Sequence, residues 1–135
     1  MIFLTTTGRQ HKIKNSTKYL INWDKACRSK IQKKIKDLLY KHWAADIVFE
    51  ELPVAGTRMT LDFYNASRKI AVEVDGNQHY KFNKFFHSNS RQKFLAQLQR
   101  DDKKEYFCEI NNIKLARVLE SDKLSEELLK GLDII

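Results

Sequence analysis

Residues 58–75 read RMTLDFYNASRKIAVEVD. Residues 58–64 and 69–75 each alternate apolar with polar side chains, the two-residue period of a half-buried strand. Asn65 to Arg68 between them is turn-like, so the two runs form an antiparallel hairpin. Alternation sorts the side chains by face. Met59, Leu61 and Phe63 point one way, and Thr60, Asp62 and Tyr64 the other. In the second run Ile70, Val72 and Val74 share a face, and Ala71, Glu73 and Asp75 share the opposite one. If the register matches, three carboxylates project from adjacent strands into one space.

Outward from this hairpin, residues 46–52 (DIVFEEL) read as a strand, and Pro53 and Gly56 punctuate the loop that follows. Upstream, Ser29 to Gln32 fits a capping box, so a helix starts there. Ile31, Ile35, Leu38 and His42, widened by Leu39 and Trp43, form its apolar stripe, and Lys30, Lys33, Lys34 and Lys41 lie on the other face. Downstream, residues 90–108 suit a helix. Asn111-Asn112 marks a turn, and residues 113–118 (IKLARV) suit a strand. Residues 122–131 read as a closing helix stopped by Gly131. The order is helix, three strands, helix, strand, helix. It predicts an α/β fold: one domain with a central mixed β-sheet of about four strands flanked by helices. The strand before the long helix and the strand after it pair in parallel through that crossover. Residues 1–22 read as a basic, irregular arm and residues 23–135 as the domain.

The chain has 135 residues, 42% hydrophobic and 31% charged, with a single Pro, which suits one core and excludes a disordered or fibrous chain. Its net charge of +8 is unevenly placed. Residues 1–45 carry 11 Lys/Arg against 2 Asp/Glu, whereas residues 46–135 carry 14 against 15. Clustered Lys/Arg gain affinity for nucleic acid by displacing its counterions; the competing reading is a solvated basic surface. Cys27 and Cys108 lack the spacing of a zinc site and read as reduced core cysteines. No apolar run approaches a membrane span, and the start of the chain lacks a signal peptide's apolar stretch. A soluble cytoplasmic protein is expected.

Clustered carboxylates raise one another's pKa, and a hard divalent ion with oxygen ligands removes that penalty. The strand exit EVDGNQHYKF adds to the pattern. Gly76 permits a sharp turn, and Gln78 and His79 follow just beyond the carboxylates. Histidine transfers protons near neutral pH and binds phosphate or metal. On the 90–108 helix, Gln97, Asp101 and Lys104 form a polar ladder beside Leu95 and Leu98. The ladder points either at the same site or at solvent.

LDFY, eight intervening residues and EVD together resemble the PD-(D/E)XK nuclease superfamily, in which an Asp and a Glu on a hairpin hold the catalytic metal. Asp62 matches the first acid and Glu73 the second. Leu61 replaces the motif's Pro, and Asp75 stands where the motif has its Lys. The strings RSKIQ, FEELPVAGTRMTLDFYN, IAVEVDGNQHYKFNKFFH and QLQRDDKKEYFCEINNIKL, over about residues 20–120, resemble a phage-type branch of that superfamily. That branch is similar to very-short-patch-repair endonucleases and includes freestanding homing endonucleases. The resemblance implies a restriction-endonuclease-like core and metal-dependent hydrolysis of double-stranded DNA. It implies Mg²⁺ as the cofactor, with Mn²⁺ able to substitute, and a bacterial or phage-infected host cell. Asp62 and Glu73 would bind the metal, and Asp75 would hold a second ion or orient water. His79 and Asp101 would fill the role of the missing Lys. Arg9, Lys12, Lys14, Lys30, Lys33, Arg58, Gln78 and Lys81 are the expected DNA contacts. One site cuts one strand, so a double-strand break requires two nicks or a homodimer. The alternatives are a decayed nuclease fold that binds nucleic acid without cutting it, and a nuclease directed at RNA.

Overall fold

The computed structural model describes residues 1–75, 99–100, 102–119 and 122–135. Two short strands, β1 (Ile2–Leu4) and β2 (Gln10–Lys12), lead into a 3₁₀ turn (Ser16–Tyr19) and helix α1 (Lys30–Trp43). Strands β3 (Val48–Pro53), β4 (Thr60–Asn65) and β5 (Ile70–Asp75) follow. Helix α2 (residues 102–110), strand β6 (Lys114–Leu119) and helix α3 (Glu126–Gly131) complete the fold. The sheet order is β3-β4-β5-β6, antiparallel except for the parallel β5–β6 pair. The α/β class, the mixed four-stranded sheet and the parallel pairing of β5 with β6 expected from the sequence are all present.

Local chemistry explains the element ends. Ser29 Oγ accepts a hydrogen bond from Gln32 N at 3.2 Å, capping α1 as the Ser29–Gln32 pattern implies. In the β4–β5 turn, buried Asn65 accepts from Arg68 N and donates to Asp46 Oδ2, which also takes the Arg68 guanidinium at 2.8 Å. Gly131 is the last residue of α3 and not its left-handed stop; the residue with positive φ there is Asp133, at 57°.

Each sheet face carries its own core. On one, α1 and α3 bring Ile35, Leu39, Trp43 and Leu129 onto Val48, Phe63, Val72 and Val118. On the other, Phe107 and Cys108 of α2 pack with Phe3, Phe49, Tyr64 and Ala71. This second layer corrects the reading of residues 1–22 as an irregular arm. They contain the β1–β2 hairpin, bury Phe3 and Ile13, and tie Leu4 to Asn111, whose side chain accepts from Leu4 N at 2.8 Å and donates to its carbonyl at 2.9 Å. The alternation in β4 is also broken. Phe63 faces the α1 core, but Leu61 joins the opposite cluster with Tyr64. Between them Asp62 Oδ2 accepts from Val74 N at 2.8 Å, taking over a position in the β4–β5 ladder.

Candidate active site

β4 and β5 pair in register at Asn65↔Ile70, Tyr64↔Ala71 and Phe63↔Val72. Asp62 and Glu73 follow directly beyond the last paired rung, with Glu73 on the face beneath α2. Neither is solvated: Asp62 is 9% exposed and Glu73 3%. The two carboxyl groups stand close enough for the charge on one to act on the other. Burial first, then the Asp62 charge, pushes the Glu73 carboxyl up to about 9, against an ordinary value of 4.5. At neutral pH Glu73 therefore holds a proton.

Lys104, on α2, brings Nζ to 2.9 Å from Glu73 Oε1. The contact is an ion-pair approach without hydrogen-bond angles, since Oε1 is buried with no hydrogen-bond partner among the described residues. Asp75, two residues along β5, points to the same face and is equally buried. Its Oδ2 lies 3.2 Å from Arg117 Nη1, and Arg117 Nε reaches Glu105 Oε1 at 3.3 Å. The parallel register explains this link, because β6 sets Arg117 beside Glu73 and Leu119 beside Asp75. From the other side, Arg28 pairs with Glu51 (Nε–Oε1 2.7 Å) and stands 4.0 Å from Asp62 Oδ1. Glu51 has φ 52° in mid-β3, a backbone state that side chains other than Gly adopt only under local constraint.

The structure thus unites Asp62 with Glu73 and leaves Asp75 engaged with Arg117. Among the described residues no group of three or more His, Cys, Asp or Glu side chains is placed to share a metal ion. The pair itself suits a hard cation, being two carboxyl oxygens donors in a dry site where one must otherwise stay protonated. Gln78, His79, Lys81, Gln97 and Asp101 lie outside the described residues. Of the expected DNA contacts, Arg9, Lys12, Lys14, Lys30 and Arg58 are exposed. Lys33 is occupied, pairing with Asp37 at 2.9 Å and donating to Trp23 O at 3.2 Å.

Sequence reasoning gave Lys104 a place on a ladder but no partner, and it missed Arg117, Arg28 and Lys36. A lone Arg inside the apolar strand LARVL was the available signal for Arg117. Lys36 is fully buried in α1, donating to Lys25 O at 2.9 Å and Glu50 Oε1 at 3.1 Å. Cys27, whose thiol burial pushes up to about 11, donates to Glu50 Oε2 at 3.4 Å. Cys27 and Cys108 are both free, in keeping with the reduced state expected of them.

Among the described residues no helix is long and apolar enough to cross a membrane. No family model matches the chain, and no solved structure matches it. Three viral proteins do. Uncharacterized protein 033L of invertebrate iridescent virus 3 is 36% identical over 74 residues, covering 55% of this chain and 38% of that protein. Uncharacterized protein 094L of frog virus 3 (isolate Goorha) is 39% identical over 66 residues, covering 49% and 43%. Uncharacterized protein 307L of invertebrate iridescent virus 6 is 40% identical over 60 residues, covering 44% and 30%. The aligned part is less than half the length of each of these relatives, so the chain is similar to a portion of larger viral proteins.

Proposed function

We propose that the chain is a divalent-metal-dependent DNA endonuclease that hydrolyses phosphodiester bonds at the Asp62–Glu73 pair. The observation that carries this reading is the pair itself: two carboxyl groups buried together, one forced to keep its proton to about pH 9, with Lys104 Nζ 2.9 Å away. Burying two carboxyl groups together costs stability unless a shared proton or a cation offsets their repulsion, and it is this unrelieved cost that supports a cation site.

Asp62 and Glu73 would hold the ion, Mg²⁺ or Mn²⁺, with Glu73 surrendering its proton on loading. A bound divalent ion supplies an acidified water and offsets charge on the phosphoryl oxygens. Asp62 also fixes the backbone of Val74 through its hydrogen bond, which holds the two strands at one spacing. Lys104 takes the place that the resemblance assigns to a lysine at position 75. It reaches Glu73 from a helix instead of from β5, and orients the attacking water. Asp75 anchors Arg117 beside the pair. A freestanding homing role is the narrower form of the same proposal.

The test is cleavage of supercoiled plasmid with Mg²⁺ by the wild type, Asp62→Ala and Glu73→Ala. Removal of a charge-stabilising group lowers turnover roughly 100-fold or more, so both variants should leave the plasmid intact. Unchanged cutting by either would place the chemistry elsewhere. Asp75, standing where the motif has Lys, favours one other reading: a protein that binds nucleic acid without cutting it. That reading predicts salt-sensitive DNA binding and no Mg²⁺-dependent product.

A further inference from the structure

Three cavities lie in a row on the side of the sheet approached by Arg28. The first, about 330 Å³, is lined by Lys12, Lys14, Lys18 and Tyr19 against the Pro53–Thr57 loop. The second, about 360 Å³, shares Lys18 and Tyr19 with the first and adds Asn22 and Lys25. The third, about 310 Å³, shares Lys25, Glu50 and Glu51 with the second and ends at Arg28. Arg28 Nη2 is in turn 4.0 Å from Asp62 Oδ1, so the row ends at the carboxyl pair.

Its charge is one-sided once internal pairs are removed. Glu50 is taken by buried Lys36 and Glu51 by Arg28. Lys12, Lys14, Lys18 and Lys25 are all exposed. Tyr19 lines both the first and the second cavity, with Lys18 Nζ 5.0 Å from its ring centroid. Cations spaced along a path with an aromatic face between them suit a single strand, whose unpaired bases can stack. A duplex keeps its bases inside and offers such a surface only phosphates. Each cavity is also at the small end of ligand-pocket sizes, matched to one nucleotide unit at a time. Lys30 and Lys34 line a separate cavity with Asp122 and Leu124 that shares no residue with the row.

We infer that the row from Lys14 to Arg28 is a channel for one DNA strand, so that the substrate presents an unpaired segment, such as an overhang, a flap or the locally melted region of a supercoiled plasmid, and not fully paired duplex. Phosphates follow Lys14, Lys18 and Lys25, a base stacks on Tyr19, and the strand reaches Asp62 and Glu73 past Arg28. Only the end of this path rests on the nuclease reading; strand binding does not.

The test is fluorescence anisotropy, in EDTA, with one labelled oligonucleotide presented as a single strand, as a blunt duplex and as a duplex with an overhang. The single strand and the overhang should bind at least about 10-fold tighter than the blunt duplex, as expected when stacked bases add to phosphate contacts. Lys14→Glu/Lys18→Glu should remove that preference. Tyr19→Leu, which keeps apolar bulk against the core, should weaken strand binding by roughly 5- to 100-fold, the range for losing one stacked base. Lys34→Glu/Lys41→Glu, an equal charge reversal on the outer face of α1, should bind the strand as the wild type does. Equal or tighter binding of blunt duplex, or equal losses in the two double variants, overturns the channel. Cleavage assays of the same oligonucleotides with Mg²⁺ separate the two claims. Strand binding without cleavage retains the channel and removes the nuclease reading. Normal cleavage of the overhang by Lys14→Glu/Lys18→Glu does the reverse.

Discussion

On the proposed nuclease reading, Lys104 and Asp75 divide between them a task that the resembling motif gives to one lysine. Lys104 reaches Glu73 from α2, while Asp75 keeps Arg117 in place from β5. The consequence is a separation of effects. Lys104→Ala should lower cleavage roughly 100-fold, the scale for losing one preorganised polar group at a reacting centre. Mg²⁺ affinity, read by calorimetric titration, should stay within a few fold or rise, because a competing cation is removed. A Lys104→Ala protein that cuts normally would show the lysine to be a structural counter-charge. Asp62 and Glu73 were legible in the sequence because a two-residue period places side chains by counting. Lys104 was not, because its role depends on how α2 lies across the sheet, which no local period encodes. Leu61 shows the same limit: it joins the cluster opposite Phe63's, next to the point where the Asp62 side chain takes Val74 N, and no two-residue period encodes that break.

At the scale of the elements, capping and packing explain which boundaries hold. Asp46, 19 and 22 residues upstream of Asn65 and Arg68, joins the β4–β5 turn only through the fold, whereas the N-cap pair Ser29–Gln32 and the turn pair Asn65–Arg68 are local and were readable. The buried Lys36 was not. It sits among lysines that face solvent, and only the approach of β3, with Glu50, makes its position tenable. Ser29→Ala should destabilise the protein by about 1 kcal/mol, the usual loss for an N-cap side chain, measured by urea unfolding. Lys36→Ala should do more, by about 3 kcal/mol, because it leaves Glu50, only 16% exposed beside Cys27, without its counter-charge. A Lys36→Ala loss smaller than that of Ser29→Ala would mean that water reaches Glu50 and the cluster is not closed.

For the whole molecule, the Glu73 proton links stability to pH. The folded protein holds this proton up to about pH 9, whereas the unfolded chain releases it near 4.5. Between those values the folded state binds more protons, so its stability falls as pH rises. Each unit of displacement is worth about 1.4 kcal/mol, so relieving even part of it should be visible in a melting curve. Without divalent ions, the melting temperature should drop across this window, and Glu73→Gln should flatten the drop. Mg²⁺ should raise the melting temperature more at the alkaline end than at the acid end. A flat profile in the metal-free wild type would show that the pair is wetter than the structure places it.

The side chain of Asn111 holds both polar groups of the Leu4 backbone from 107 residues away. During synthesis the first strand therefore leaves the ribosome long before its clasp exists. It cannot settle until the last turn of α2 has followed it out, and docking so distant a pair is slow compared with forming the neighbouring hairpin. The beginning of the chain is thus among the last parts to dock, and a nascent chain halted before residue 111 should expose Phe3 to proteolysis that the finished protein resists.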